Sequence, residues 1–151
     1  MQKIIISDTS CLVLLEKIGE LAILHQLYGQ VTITAEIEKE YGQPLPEWIA
    51  VLNPQNESYQ KLLQATLDKG EASAIALAVE IKDCLLVLDD RKARNVAAEL
   101  KLTYTGTIGV ILDAKHKGYI ASVKETMKKI RSTDFRLSQE AEQKILKLAG
   151  E

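Results

Sequence analysis

The sequence predicts an α/β protein: a mostly parallel sheet of roughly five strands with helices on both faces. Three observations carry that expectation. Short apolar, β-branched runs alternate with stretches of helical periodicity, the pattern of parallel strands joined by right-handed helical crossovers. Glycine, proline and hydroxyl residues punctuate nearly every junction between them. The length of 151 residues suits one continuous core and is short for two.

The elements follow in order. Residues 3 to 7, Lys-Ile-Ile-Ile-Ser, read as the first strand, and Ser10 is placed to cap a helix through Cys11, Leu12, Leu14, Leu15 and Ile18 that stops at Gly19. A second helix runs from about Glu20 to Tyr28 and ends at Gly29. Val31 to Ile33 is β-branched and reads as a strand, and Thr34 caps a short helix carrying Glu36, Glu38 and Glu40. Gly42 to Pro46 breaks that helix. A weaker strand at Trp48 to Leu52, a break at Asn53-Pro54 and a helix from about Ser58 to Leu67 follow. Gly70-Glu71 opens an alanine-rich helix, Ala72 to Ile81, whose small side chains allow close packing on the sheet. Strand Cys84 to Leu88, helix Lys92 to Leu100, strand Leu102 to Thr105 and helix Thr107 to Lys117 continue the alternation. Two helical patterns, about Ser122 to Arg131 and Ser138 to Leu148, close the chain, so residues 1–151 read as a single domain with C-terminal helices from about 120.

A formal net charge of −2 excludes a globally basic surface, so any nucleic-acid contact must come from a local patch. Cys11 and Cys84 read as small buried hydrophobes, a pattern that suits a reducing compartment. The N-terminus lacks the apolar length of a signal peptide, and no stretch approaches the roughly 20 apolar residues of a membrane span. A soluble, cytoplasmic protein is expected.

Acidic residues fall where strands end or helices begin: Asp8 after the first strand, Asp89-Asp90 after a later one, Glu71 at a helix N-terminus, and Glu40 in the helix reached from the second strand. In an open parallel sheet, ligands gather beyond the carboxyl ends of the strands. Mg²⁺ takes oxygen ligands, commonly one or two carboxylates with water and phosphate completing the shell. Such acids would repel one another without a cation. Each also has a plainer reading. Asp8 or Asp89-Asp90 can cap a helix, Glu71 suits a first turn, and most glutamates of Glu36, Glu38 and Glu40 would face water. Taken jointly, the pattern favours a metal site.

Asp8-Thr9-Ser10, the leucine-rich helix ending Lys17-Ile18-Gly19, Gly70 to Ile75, Leu88 to Arg94 and Thr105 to Gly109 together resemble PIN-domain proteins, nearest the VapC-like group. The resemblance covers residues 1 to about 120 and lies in the order and spacing of the pieces. It implies a PIN-like three-layer α/β/α fold with an acidic Mg²⁺ or Mn²⁺ pocket that hydrolyses RNA. The family's first aspartate maps onto Asp8, with a hydroxyl neighbour at Ser10, and its helix glutamate maps best onto Glu40, with Glu36 and Glu38 close in register. The third acid, commonly aspartate in VapC toxins, is Glu71, and the last is Asp89 or Asp90. Cys11 and Thr34 stand where related sequences often have proline, and neither change removes a ligand.

By that resemblance Asp8, Glu71 and Asp89 or Asp90 hold the metal and Glu40 binds it indirectly or orients the attacking water; Arg91, Lys92 and Arg94 directly follow the acid pair and either meet the RNA backbone or form a solvated helix face. A VapC-like toxin also implies a small antitoxin whose tail fills the acidic groove. A homodimer is expected too, for which Ile145, Leu146 and Leu148 offer an apolar stripe; the same residues can equally cover the chain's own core. His25 and His116 are too isolated to serve as general bases, and Trp48 and the five tyrosines form no stacking array. A haloacid-dehalogenase phosphotransferase would need an aspartate where Ser10 stands. A response-regulator receiver would need a lysine that Thr103 to Gly106 lacks. The serious competitor is a PIN-like module that binds RNA or protein with little or no cleavage.

Overall fold

A computed structural model of the chain describes residues 3–151; the expected domain limit at residues 1 and 2 lies outside them. The strands are β1 (Ile4–Ser7), β2 (Val31–Ile33), β3 (Ile49–Val51), β4 (Cys84–Val87) and β5 (Thr103–Thr105), all parallel in the order β3-β2-β1-β4-β5. The helices are α1 (Thr9–Lys17), α2 (Ala22–Tyr28), α3 (Ala35–Tyr41), α4 (Glu57–Leu63), α5 (Lys69–Ile81), α6 (Arg91–Glu99), α7 (Thr107–His116), α8 (Val123–Arg131) and α9 (Gln139–Leu148). None of the described helices is long and apolar enough to cross a membrane.

The central strands read as unbroken apolar runs because both of their faces are covered. Ile6, Ile33 and Leu86 are fully buried, and each such side chain contributes about 1.5–3 kcal/mol by leaving water. Strand order reverses between β1 and β4. Right-handed crossovers then put the connections made before and after that reversal on opposite faces. Accordingly α4, α5 and α6, made after it, pack together with α5 on β1 and β4, whereas α2, made before it, contacts β2 and joins α7, which carries α8 and α9; α3, also made before it, instead contacts α1 and α5.

α5 lies close to the sheet because Gly70, Ala72, Ser73, Ala74, Ala76 and Ala78 are its buried residues together with Ile75 and Leu77. On the other side, α9 inserts Ile145 into the core and lays Leu146 against it, leaving Leu148 exposed. The Glu151 carboxylate accepts hydrogen bonds from Val123 N at 2.6 Å and Lys124 N at 3.2 Å at the start of α8. Those donors, the Val123 N–H first, hold its pKa down at about 2.

Among the expected boundaries that shift, two bear on the site. Ser10 is not the cap of α1: Asp8, still extended at φ −78° and ψ 173°, takes that place by accepting from Cys11 N. A carboxylate directly after the strand reaches the third amide beyond it, so the helix begins at Thr9. α4 ends at Leu63 rather than Leu67, because the chain turns there to bury Leu67 and to bring Asp68 into position as the cap of α5.

Candidate active site

Asp8 and Asp89 leave adjacent strands at the point where strand order reverses, the crevice in which open α/β sheets bind ligands. The β1–β4 ladder pairs Ser7 with Val87 and continues through Asp8 N, which donates to Val87 O at 3.0 Å. Beyond that bond the side chain takes over from the backbone. Asp8 Oδ2 accepts from Asp89 N at 2.9 Å while Oδ1 accepts from Cys11 N at 2.9 Å. Asp8 is only 3% exposed. Burial, followed by the charge of Asp89, raises its pKa to about 7 against the two N–H donors that lower it. Burial likewise pushes the neighbouring Cys11 thiol up, so it is inert at neutral pH.

Asp89 is held from another direction. Its Oδ1 accepts from Thr107 N at 2.9 Å and its Oδ2 from Thr107 Oγ1 at 2.6 Å. Gly106, the N-cap of α7, has no side chain with which to cap the helix, and Asp89 supplies the missing acceptor. A Cβ on Gly106 would sit 3.1 Å from Asp89 Oδ1, a crowded contact that glycine avoids.

Glu71 lies in the first turn of α5, where its N–H donates to Asp68 Oδ1 at 2.8 Å. Its pKa rises to about 7, from burial first and then from the charges of Asp68 and Asp90. Asp90 is exposed and caps α6 by accepting from Ala93 N at 3.0 Å. Of the two consecutive aspartates, Asp89 is joined to Asp8 through its N–H and its charge, whereas the charge of Asp90 acts on Glu71.

Glu40, at the end of α3, accepts from Thr9 Oγ1 at 2.5 Å. It passes so close to Gly70 that a Cβ there would run into its carboxylate. Glu36 instead lines a separate cleft, and Glu38 is exposed. Four helices thus begin around the crevice, and each donates an N–H to one of its acids: α1 to Asp8, α5 to Asp68, α6 to Asp90 and α7 to Asp89. The positive ends of their dipoles offset part of the gathered negative charge.

The basic residues are less uniform. Arg91 and Lys92 are exposed on the first turn of α6, and Ser10 is exposed on the first turn of α1. Arg94 is half-buried, with its guanidinium 5.1 Å from the Tyr104 ring centroid and its Nε buried without a hydrogen-bond partner. Its Nη1 and Asp89 Oδ1 both border the space beside Gly106. His25 stacks on Trp48 at 5.3 Å, and His116 contacts Leu148 O at 3.1 Å. Neither histidine is hydrogen-bonded to an acid of the crevice.

Sequence reasoning missed Asp68, Thr9 and Thr107. Asp68 was detectable: Asp-Lys-Gly-Glu is the spacing of a helix cap followed three residues later by glutamate. The two threonines carry no such signal, because what they orient lies 31 and 18 residues away.

The donor set suits a hard divalent cation. Every candidate is a carboxylate oxygen, and among the described residues none of these acids forms an ion pair with lysine, arginine or histidine. Two carboxylates raised to about 7 lack the positive partner that would hold them ionised. No group of three or more acidic, histidine or cysteine side chains among the described residues converges as a ready-made cage. The Asp8–Asp89 pair corresponds to the smaller requirement of Mg²⁺, one or two carboxylates supplemented by water and phosphate.

The all-parallel sheet flanked by helices is an α/β/α fold of nuclease type. Residues 4–151 match the PIN-domain family DUF3368, and the chain belongs to that family. PIN domains are generally nucleases that act on RNA and usually use divalent metal ions. No curated protein matches the chain.

Proposed function

We propose that this protein is a Mg²⁺- or Mn²⁺-dependent endoribonuclease of the VapC type, the toxin of a type II toxin–antitoxin pair acting in the cytoplasm. The observation that carries this reading is the junction of Asp8 and Asp89 at the switch point, two carboxylates oriented by backbone amides and without a cationic side-chain partner among the described residues. Asp8, Asp89, Glu71 and Asp90 are the residues that would hold the metal. When bound, a divalent cation supplies positive charge that polarises a phosphoryl oxygen and acidifies water.

The chain's own groups do the rest. Asp8 and Asp89 are pre-positioned by their hydrogen bonds and need little rearrangement. Glu40, held by Thr9, orients the attacking water and accepts its proton. Water oxygen bonds to phosphorus in line as the bond to the 3′-oxygen breaks, and the departing 3′-oxygen takes a proton from solvent, leaving a 3′-hydroxyl and a 5′-phosphate. Arg91, Lys92 and Arg94, with the Ser10 hydroxyl, meet the strand's phosphates. The acidic crevice also offers a basic antitoxin tail its partner charges, and α9 offers Leu148 to a second copy.

A second reading, a PIN module that binds RNA or protein with little cleavage, draws on the absence of a three-acid cage among the described residues and on Glu71 where aspartate is common. Cleavage of end-labelled mixed-sequence RNA with Mg²⁺ or Mn²⁺ separates the two. Activity lost both in Asp8→Asn and with chelator supports the nuclease; intact RNA with folded wild-type protein favours the binding module.

A further inference from the structure

Beside the acidic crevice lies a second concavity of about 430 Å³. The first turn of α5 divides the two. Lys69 and Ser73, one helical turn apart, line the cleft, whereas Glu71 projects roughly 200° round the helix from Lys69. None of Asp8, Asp89, Asp90, Glu40 and Glu71 lines it. A single helix width, about 10 Å, therefore separates the cleft from the acids, a span that a nucleotide or two of an extended strand covers.

The chemistry of the lining is distinctive. Ser73 donates to Gly70 O at 2.7 Å and lies 2.6 Å from Thr34 Oγ1, which ties α3 to α5. Asn53 Oδ1 accepts from Ala35 N at 2.8 Å, which leaves the Asn53 amide hydrogens free to donate. Gln60 Nε2 donates to Gln64 Oε1 at 3.3 Å, leaving Gln60 an acceptor and Gln64 a donor side by side. Glu36 and Glu57 balance Lys61 and Lys69.

A phosphate cradle would be lined by cations and donors alone, and a cleft for an apolar ligand would be mostly apolar. Mixed donors and acceptors without net charge match the edge of an unpaired nucleobase, which proteins read in single-stranded RNA by hydrogen bonds to its exposed edges. No aromatic side chain lines the cleft, so recognition here is by edge rather than by stacking.

We propose that this cleft binds an unpaired base of the RNA strand beside the phosphate that is cut, and that Asn53, Gln60 and Gln64 set which base is accepted. The proposal rests on the ribonuclease reading above. α4 has no buried residue, and Gln60 and its C-cap Gln64 are only half-buried, so the double variant Gln60→Ala/Gln64→Ala leaves the core intact.

The test has two arms on the full chain. In chelator, fluorescence anisotropy measures binding of labelled short rA, rC, rG and rU oligonucleotides. With Mg²⁺ or Mn²⁺, sequencing the ends of a cleaved random RNA pool gives base preference around the cut. The wild type should favour one base by about tenfold at a position flanking the cut, and the double variant should reduce that to about twofold, by slower cleavage at the favoured base. A preference unchanged in the variant, or wild-type cleavage without preference, overturns the base-reading cleft and leaves the nuclease standing. Wild-type protein that neither binds nor cuts any of these RNAs overturns the ribonuclease reading, and the cleft proposal with it.

Discussion

The amide of Asp89 donates to Asp8 Oδ2 at 2.9 Å, joining residues 81 positions apart. A parallel ladder that would otherwise end at the strand tips is extended by a carboxylate, so the fold itself aims both aspartates. Asparagine at position 8 has one carbonyl oxygen for two N–H donors and must turn its own NH₂ toward one of them. Asp8→Asn should therefore lose RNA cleavage by about 100-fold or more while remaining folded. Near-wild-type cleavage rates for the variant would remove Asp8 from the reaction.

The metal-free fold should weaken as pH rises. Asp8 and Glu71 titrate at about 7 in the folded chain against ordinary values of 3.8 and 4.5. The folded state therefore binds more protons than the unfolded one between about pH 4 and 7. Their contribution to stability is full below pH 4 and is lost as pH rises through 7. For Asp8 alone the shift corresponds to on the order of 4 kcal/mol at most. Glu151, lowered to about 2, acts only below its ordinary value and does not enter between pH 5 and 8. Thermal melts in chelator should give a Tm about 5–10 °C lower at pH 8 than at pH 5. Millimolar Mg²⁺ should narrow that gap at pH 8, because a ligand of the folded state stabilises by mass action. A flat profile in chelator would contradict the charge crowding in the crevice.

Much of this fold was legible in the chain because its punctuation is local. Thr34 caps α3 and Gly42 ends it in the left-handed region, as their residue types foretell. Residues 3 to 7 and Cys84 to Leu88 read as strands from their β-branched and leucine runs, and the strands form within one residue of those limits, at Ile4–Ser7 and Cys84–Val87. The acids were legible as strand-end and helix-start residues, and the division between Asp89 and Asp90 was not. That division depends on Thr107 reaching back from α7, a contact between elements with no trace in the local sequence. Ser10 was expected as a cap for a related reason, since hydroxyl and carboxylate are both good caps and only the end of β1 decides between them.

Thr107 is fully buried and gives Asp89 both a backbone and a hydroxyl hydrogen bond. Thr107→Val keeps the shape and the N–H but removes the hydroxyl, leaving Asp89 Oδ2 without its donor. Stability should fall by about 1–2 kcal/mol, readable as a shift in urea midpoint, and cleavage should fall with it as Asp89 gains freedom. Thr107→Ser restores the hydroxyl and should recover most of the cleavage. Equal loss in both variants would assign the effect to packing rather than to the orientation of Asp89.

Gly70 offers a case in which stability and activity should separate. Alanine favours a helix over glycine by about 1 kcal/mol, and position 70 lies in the first turn of α5. The added Cβ would meet the Glu40 carboxylate, which can swing away because it ends a flexible side chain exposed to water. Gly70→Ala should therefore fold with a Tm within about 4 °C of the wild type yet lose cleavage by about tenfold, as Glu40 leaves Thr9. Thr9→Val frees the same carboxylate without a clash and should lower cleavage in the same direction. Unimpaired cleavage in both variants would remove Glu40 from the reaction, and a Gly70→Ala chain that fails to fold would show that the α3–α5 contact cannot yield as the flexibility of Glu40 implies.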